Sequence, residues 1–206
     1  LSIAFEIARH YLLSEEHETT DDCVYLVHLY SRLGRETKKN ASFQSSYDFL
    51  KRAIRRVLPQ NWEDEYQQTL SLFHEGAESG MITGHRETAE GWLEEALQQA
   101  KNIEDRVKAH EIKLNHLCET HQFADAVDYL LIALDEIGYG VRRNPGKLSI
   151  LKEYAGVKWL LRNKKIEDIT TLPPMQDVRA KAFVKLTVMA ATSIYGWATD
   201  ILPVVY

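Results

Sequence analysis

The sequence predicts an all-α fold, a stack of antiparallel helix pairs forming an α-solenoid, and three observations carry that expectation. Apolar residues recur at helical spacing along nearly the whole chain. Ala89, Trp92, Leu93, Ala96, Leu97 and Ala100, at i, i+3, i+4, i+7, i+8 and i+11, all lie on one stripe. No stretch alternates with period two for long enough to read as a strand. A small residue, a Leu four on and an Ala three further recur as Ser46-Leu50-Ala53, Ala89-Leu93-Ala96 and Ala126-Leu130-Ala133.

The elements follow in order. The chain opens on a helical pattern over about 2–14, without a start Met, and its charges come too early and too scattered for a signal peptide. A helix over 22–39 leads to one over 43–58 that carries Tyr47, Leu50, Ile54 and Leu58 and is stopped by Pro59. Asn61 is placed to cap the next, over 62–83, whose stripe is Trp62, Tyr66, Leu70, Phe73, Ala77 and Met81. Its acidic first turn, Glu63-Asp64-Glu65, suits a helix N-terminus. Gly84 fits the position just past a helix end. Helices over 86–101, 104–120 and 123–137 come next, the last closed by Gly138. Asn144-Pro145-Gly146 is a turn before a helix over 147–163. Leu172-Pro173-Pro174 breaks the chain again before Asp177 caps a final helix over 177–198.

Short connections make successive helices antiparallel, so the pairs fall at about 22–58, 62–101 and 104–137, followed by C-terminal helices over 147–198. The first helices of these pairs carry Tyr30-Leu33-Gly34, Phe73-Gly76-Ala77 and His110-Lys113-Leu114. Ala53 to Ala96 is 43 residues and Ala96 to Ala133 is 37. Small residues where paired helices cross let the backbones approach, and a single pair cannot bury its apolar stripe alone, so neighbours stack. The chain reads as a single helical-repeat domain over 1–206, a segment of something longer, since both ends look cut.

Composition bounds the function. With 206 residues, 45% hydrophobic and 27% charged, the chain has the makings of a sizeable core, and ten Tyr, six Phe and four Trp exclude a disordered tail. A net charge of −5 argues against a nucleic-acid binder. The uncharged run Leu186 to Thr199 is 14 residues, below the roughly 18 that a membrane span requires. Cys23 and Cys118 sit in no zinc-ligand spacing and read as two buried thiols in a reducing, cytoplasmic compartment.

The run Ala89-Glu90-Gly91-Trp92-Leu93-Glu94-Glu95-Ala96-Leu97 resembles the second helix of a tetratricopeptide repeat, and so does Ala126 to Ala133. Four features come in a particular order. Trp62 and Tyr66 head a long helix, Gly84 precedes Ala89-Glu90, Phe123-Ala124-Asp125-Ala126-Val127 leads to Leu134 and Ile137-Gly138, and Leu172-Pro173-Pro174-Met175 precedes Asp177. This order, spanning about Ala4 to Tyr195, is similar to the helical region that follows the ATPase module in very large bacterial signalling proteins. Those proteins join a serine/threonine-kinase-like domain, an AAA-type ATPase, tetratricopeptide-like helices, a GAF sensor and a histidine kinase. The chain departs from the pattern at Arg142-Arg143, where a Leu-Pro pair is expected. It also carries no GxxxxGK[ST] loop, HRD or DFG triplet or phospho-acceptor His box. The resemblance thus implies a non-catalytic arm without cofactor or metal, serving protein-protein interaction or intramolecular regulation inside a signalling kinase or ATPase. Its partner would be another protein or a neighbouring domain of the same chain. The alternative is an effector-sensing arm of an ATPase-driven transcription regulator.

Individual residues add candidates. His110, His116 and His121, six and five apart, spread over different helix faces and do not read as metal ligands. Glu94-Glu95 and Glu104-Asp105 diverge by about 100° on a helix and read as solvated faces. Lys51, Arg52, Arg55 and Arg56, at i, i+1, i+4 and i+5, form a basic stripe that Arg32, Arg35, Lys38 and Lys39 extend from the partner helix. Such a stripe suits an acidic partner surface or phosphate groups, but no aromatic residues are interleaved with it for base stacking. Trp62, Trp92, Trp159 and Trp197 read as core between repeats, and some of Tyr30, Tyr66 and Tyr129 as the lining of a concave groove for a peptide.

Overall fold

The computed structural model describes residues 20–162 and 173–205, with Glu6 alone ahead of them; apart from Glu6, the helix expected over 2–14 lies outside the described residues. The protein is all-α. Helices run α1 Thr20–Lys39, α2 Phe43–Ile54, α3 Pro59–Asp64, α4 Tyr66–Ile82, α5 Arg86–Gln99, α6 Ile103–Glu119 and α7 Phe123–Glu136. There follow α8 Lys147–Leu161, α9 Val178–Met189, α10 Ala191–Trp197, a 3-10 turn Thr199–Ile201 and α11 Leu202–Val205. No strand occurs among the described residues.

Most boundaries agree with the sequence reading to within two residues, and the departures have local causes. Pro59 does not merely stop a helix; it occupies the first turn of the short α3, where its missing N–H costs nothing. Asn61, expected to cap the long helix, lies inside α3, and its Oδ1 accepts the Leu58 N–H at 2.8 Å. Its carbonyl accepts the Glu65 N–H at 3.0 Å and the Thr69 hydroxyl at 3.0 Å, so α3 and α4 meet at a bend and not in one straight helix. The final helix is likewise divided at Ala190. Asp177 caps it as expected, accepting the N–H groups of Arg179 at 2.8 Å and Ala180 at 3.2 Å.

One turn recurs. After α1 the Ser42 N–H reaches back to the Thr37 carbonyl at 2.9 Å. After α4 His85 does the same to Gly80 at 2.8 Å, and after α6 Gln122 to Leu117 at 2.9 Å. In each case the preceding residue is left-handed: Ala41 at φ 58°, Gly84 at φ 82° and His121 at φ 59°. The following residues, Ser42, His85 and Gln122, share φ of −89°, −89° and −83°, and the next helix starts at once. These left-handed residues are 43 and 37 apart, the same intervals that separate Ala53, Ala96 and Ala133.

The chain divides between Ile112 and Lys113, inside α6, into two compact units. In the first, α1 packs on α2, α2 on α4, α4 on α5 and α3 on α4. Leu26, Tyr30, Leu33, Leu50, Ala53, Trp62 and Phe73 are buried in one cluster, and Ala77, Met81, Ala89, Leu93, Ala109 and Ile112 in another. Each large apolar side chain so buried stabilises the fold by roughly 1.5–3 kcal/mol. The predicted small residues sit where helices approach most closely. A Cβ at Gly34 would stand 2.6 Å from Leu50 Cγ, and one at Gly76 2.5 Å from Ile54 Cδ1. Between α2 and α4 the buried hydroxyls of Ser46 and Ser79 hydrogen-bond at 3.2 Å.

In the second unit, Val127, Leu130, Ala133, Leu134 and Ile137 are buried, α9 and α10 pack on α7, and Leu186, Ala190 and Ile194 complete the core. Helix α8 differs. It meets α11, yet Leu148, Leu151, Tyr154, Val157, Trp159 and Leu160 are all exposed. Two of the four tryptophans therefore depart from the expected core. Trp62 is buried against Phe73 and Trp92 half-buried against Tyr47, whereas Trp159 and Trp197 are exposed. Neither Cys23 nor Cys118 is in a disulfide, and both are half-buried and not fully so.

Candidate functional site

Helix α4 carries a second stripe beside its apolar one. Gln67, Leu70, Ser71, His74, Glu75 and Glu78 also follow i, i+3, i+4, i+7, i+8 and i+11, so they share a side of the helix. With Glu104, Asp105 and Lys108 from the start of α6, they line a hollow of about 450 Å³.

The rim is fixed by a small set of hydrogen bonds. Asn102 caps α6, its Oδ1 accepting the Asp105 N–H at 2.9 Å. Tyr66, the first residue of α4, donates its hydroxyl proton to Asp105 Oδ2 at 2.6 Å and accepts the Lys101 N–H at 2.9 Å. Lys101 Nζ stands 4.0 Å from the centroid of the same ring. Burial, together with the bond to Asp105, raises the Tyr66 pKa above its usual 10, so the phenol keeps its proton and remains the donor.

His74 is the most buried polar residue of the lining, only 7% exposed. Its Nε2 is buried with no hydrogen-bond partner among the described residues. Burial, helped by the positive charge of Lys108 and opposed by Asp105, pushes its pKa down to about 4, so the imidazole is neutral at physiological pH. The neighbouring acids are partly engaged. Glu75 accepts from Ser71 Oγ at 2.8 Å through one oxygen and from Arg35 Nε at 2.7 Å through the other. Glu78 Oε2 accepts from Lys38 Nζ at 2.7 Å. Four carboxylates against the single Lys108 give the lining a formal charge of −3. Ser71 spends its proton on Glu75 and not on His74, so no Ser–His couple is set up. No group of three or more His, Cys, Asp or Glu among the described residues is arranged to hold a metal ion.

Across the Arg35–Glu75 ion pair lies a second hollow, about 630 Å³, lined by Arg32, Arg35, Glu36, Lys38, Lys39 and Glu75. It unites the four α1 cations that the sequence singles out. Lys39 hydrogen-bonds Glu36 at 2.8 Å and, by that bond and its charge, holds the Glu36 carboxyl below the usual range. The α2 cations are disposed differently. Lys51 lies over the Tyr47 ring, Arg56 over the Tyr30 ring with an Nη1 bond to the Arg52 carbonyl at 3.1 Å, and Arg55 is exposed.

The three tyrosines part company as well. Tyr30 is fully buried in the core. Tyr66 organises the acidic hollow, and Tyr129, in the second unit, is half-buried beneath Lys113 Nζ at 4.9 Å. His74, Ser71, Gln67 and Lys108 escape the sequence reading, which takes Glu104-Asp105 for a solvated face. The available signal is the polar stripe that runs down α4 in parallel with its apolar one.

Helix α8 is 15 residues, and no helix among the described residues is long and apolar enough to cross a membrane. Comparison of the chain with family models, with curated proteins and with solved structures gives no match.

Proposed function

We propose that the chain is a non-catalytic helical-repeat module for protein-protein interaction or intramolecular regulation within a multidomain signalling kinase or ATPase of the cytoplasm. Its helices form a tetratricopeptide-like solenoid of antiparallel pairs. The observation that carries this reading is the recurrence of one turn after α1, α4 and α6 at the intervals of the Ser/Ala-Leu-Ala triplets. Contacts along the first pair support the antiparallel sense. Thr37, near the end of α1, meets Ser42 just ahead of α2, and Gly34, earlier in α1, meets Ser46 and Leu50 further along α2. Such an array offers partners a surface built from many helices, here with an acidic hollow beside a basic one.

The reading is tested by deleting residues 1–206 from the longer protein it implies. Loss of partner binding or a changed signalling output is expected; unchanged binding and output overturn it. A second reading, an effector-sensing arm, draws on the hollow around the unpartnered His74. A metabolite that raises the melting temperature by several degrees in a thermal-shift screen would favour it.

A further inference from the structure

The acidic hollow is built for a particular kind of guest. With Glu75 paired to Arg35 and Glu78 to Lys38, its remaining acids, Glu104 and Asp105, against Lys108 leave a formal charge of −1, which disfavours anions. Four acceptor oxygens, one on Glu78, one on Asp105 and both on Glu104, have no hydrogen-bond donor among the described residues. Leu70 contributes to the wall, though only 3% of it is exposed. At the back, His74 keeps an unpartnered Nε2 in a nearly solvent-free position, a group that costs about 1–3 kcal/mol while unsatisfied and that native proteins rarely leave so. A charged imidazole would repel a cation; this one is neutral.

We propose that the hollow between α4 and α6 seats a cation on an alkyl stem, the guanidinium or ammonium of an Arg or Lys carried by a partner segment. Glu104 and Asp105 accept its N–H groups at the mouth. Lys108, at the same mouth, sets an upper limit on affinity by like-charge repulsion. The proposal rests on the reading of the chain as a docking module, but its test does not need the partner.

The whole chain is titrated at pH 7 and constant ionic strength with agmatine, and separately with an acetyl-Gly-Arg-Gly-amide peptide, while the His74 Cε1–H resonance is followed by NMR. A saturable shift is expected, weakened by about fivefold in Glu104→Gln, an exposed position that leaves the core untouched, and strengthened in Lys108→Gln. Tighter binding of the peptide identifies a partner side chain as the guest. Equal or tighter binding of agmatine identifies a free small cation, and overturns that part of the proposal. A shift that grows linearly, that sodium chloride reproduces, or that Glu104→Gln leaves unchanged overturns the site altogether. None of these failures touches the deletion test above, and a silent deletion would leave a saturable agmatine site standing.

Discussion

The hydroxyl of Tyr66 donates to the Asp105 carboxylate at 2.6 Å, linking the first residue of α4 to the first turn of α6 across 39 positions of sequence. Because the same oxygen accepts the Lys101 N–H, one phenol orders the whole Lys101–Asp105 connection. Tyr66→Phe keeps the ring and removes both bonds. A loss of about 1–2 kcal/mol in urea unfolding is expected, with faster amide exchange at Lys101 and Asp105. An unchanged unfolding midpoint would show that the bonds are replaced by water at no cost.

The recurring turn makes opposite predictions at equivalent places. Ala41 and Gly84 both take a left-handed backbone, but only glycine does so freely. Ala41→Gly should raise stability by up to ~1 kcal/mol, and Gly84→Ala should lower it by about the same. A Cβ at Gly84 meets nothing within 4 Å, so that change reports backbone strain alone. Urea midpoints that move in the same direction for both variants would refute the common geometry.

Two helical glycines separate packing from propensity. Gly34→Ala forces the fully buried Leu50 to shift and should cost about 1–3 kcal/mol despite the better helix propensity of alanine. Gly91→Ala, on an exposed face with nothing within 4 Å, should gain about 0.5–1 kcal/mol. Thermal denaturation of the two variants beside the parent chain reads both signs.

His74 should make stability depend on pH. Its folded pKa of about 4 lies below the ordinary 6.5, so between these values the unfolded chain binds more protons than the folded one. The stabilisation is complete above pH 6.5 and is lost as pH falls towards 4, by at most ~1.4 kcal/mol per unit. Denaturation midpoints measured across that window should fall less steeply in His74→Leu than in the parent. Parallel slopes would mean that the ring is not held neutral.

How far the sequence could be read follows from which forces act locally. Leu50, Leu93 and Leu130 are all buried where the triplets put them, because a 3.6-residue period fixes the side of a helix before any partner is known. Gly84 and Gly138 likewise announce their turns through backbone freedom, and Asp177 its cap through a carboxylate that reaches its own helix's first N–H groups. The bend at Glu65 was hidden, since Trp62, Tyr66 and Leu70 keep helical spacing straight through it. Trp159 was misassigned for a related reason: periodicity gives a side chain a direction but not a neighbour. The acidic hollow was hidden too. It joins His74 to Lys108, 34 positions away, and only the packed helices bring them together.

The short helix α3 explains how two unequal intervals coexist with one turn. Eleven residues, 55–65, separate α2 from α4, whereas only three, 100–102, separate α5 from α6. The longer spacing is thus absorbed outside the helical hairpins, in a segment that folds back on itself through Asn61. Growth or shortening of this chain is tolerated most cheaply there, since loop length costs little entropy while any change within a hairpin would rotate an apolar stripe away from its neighbours.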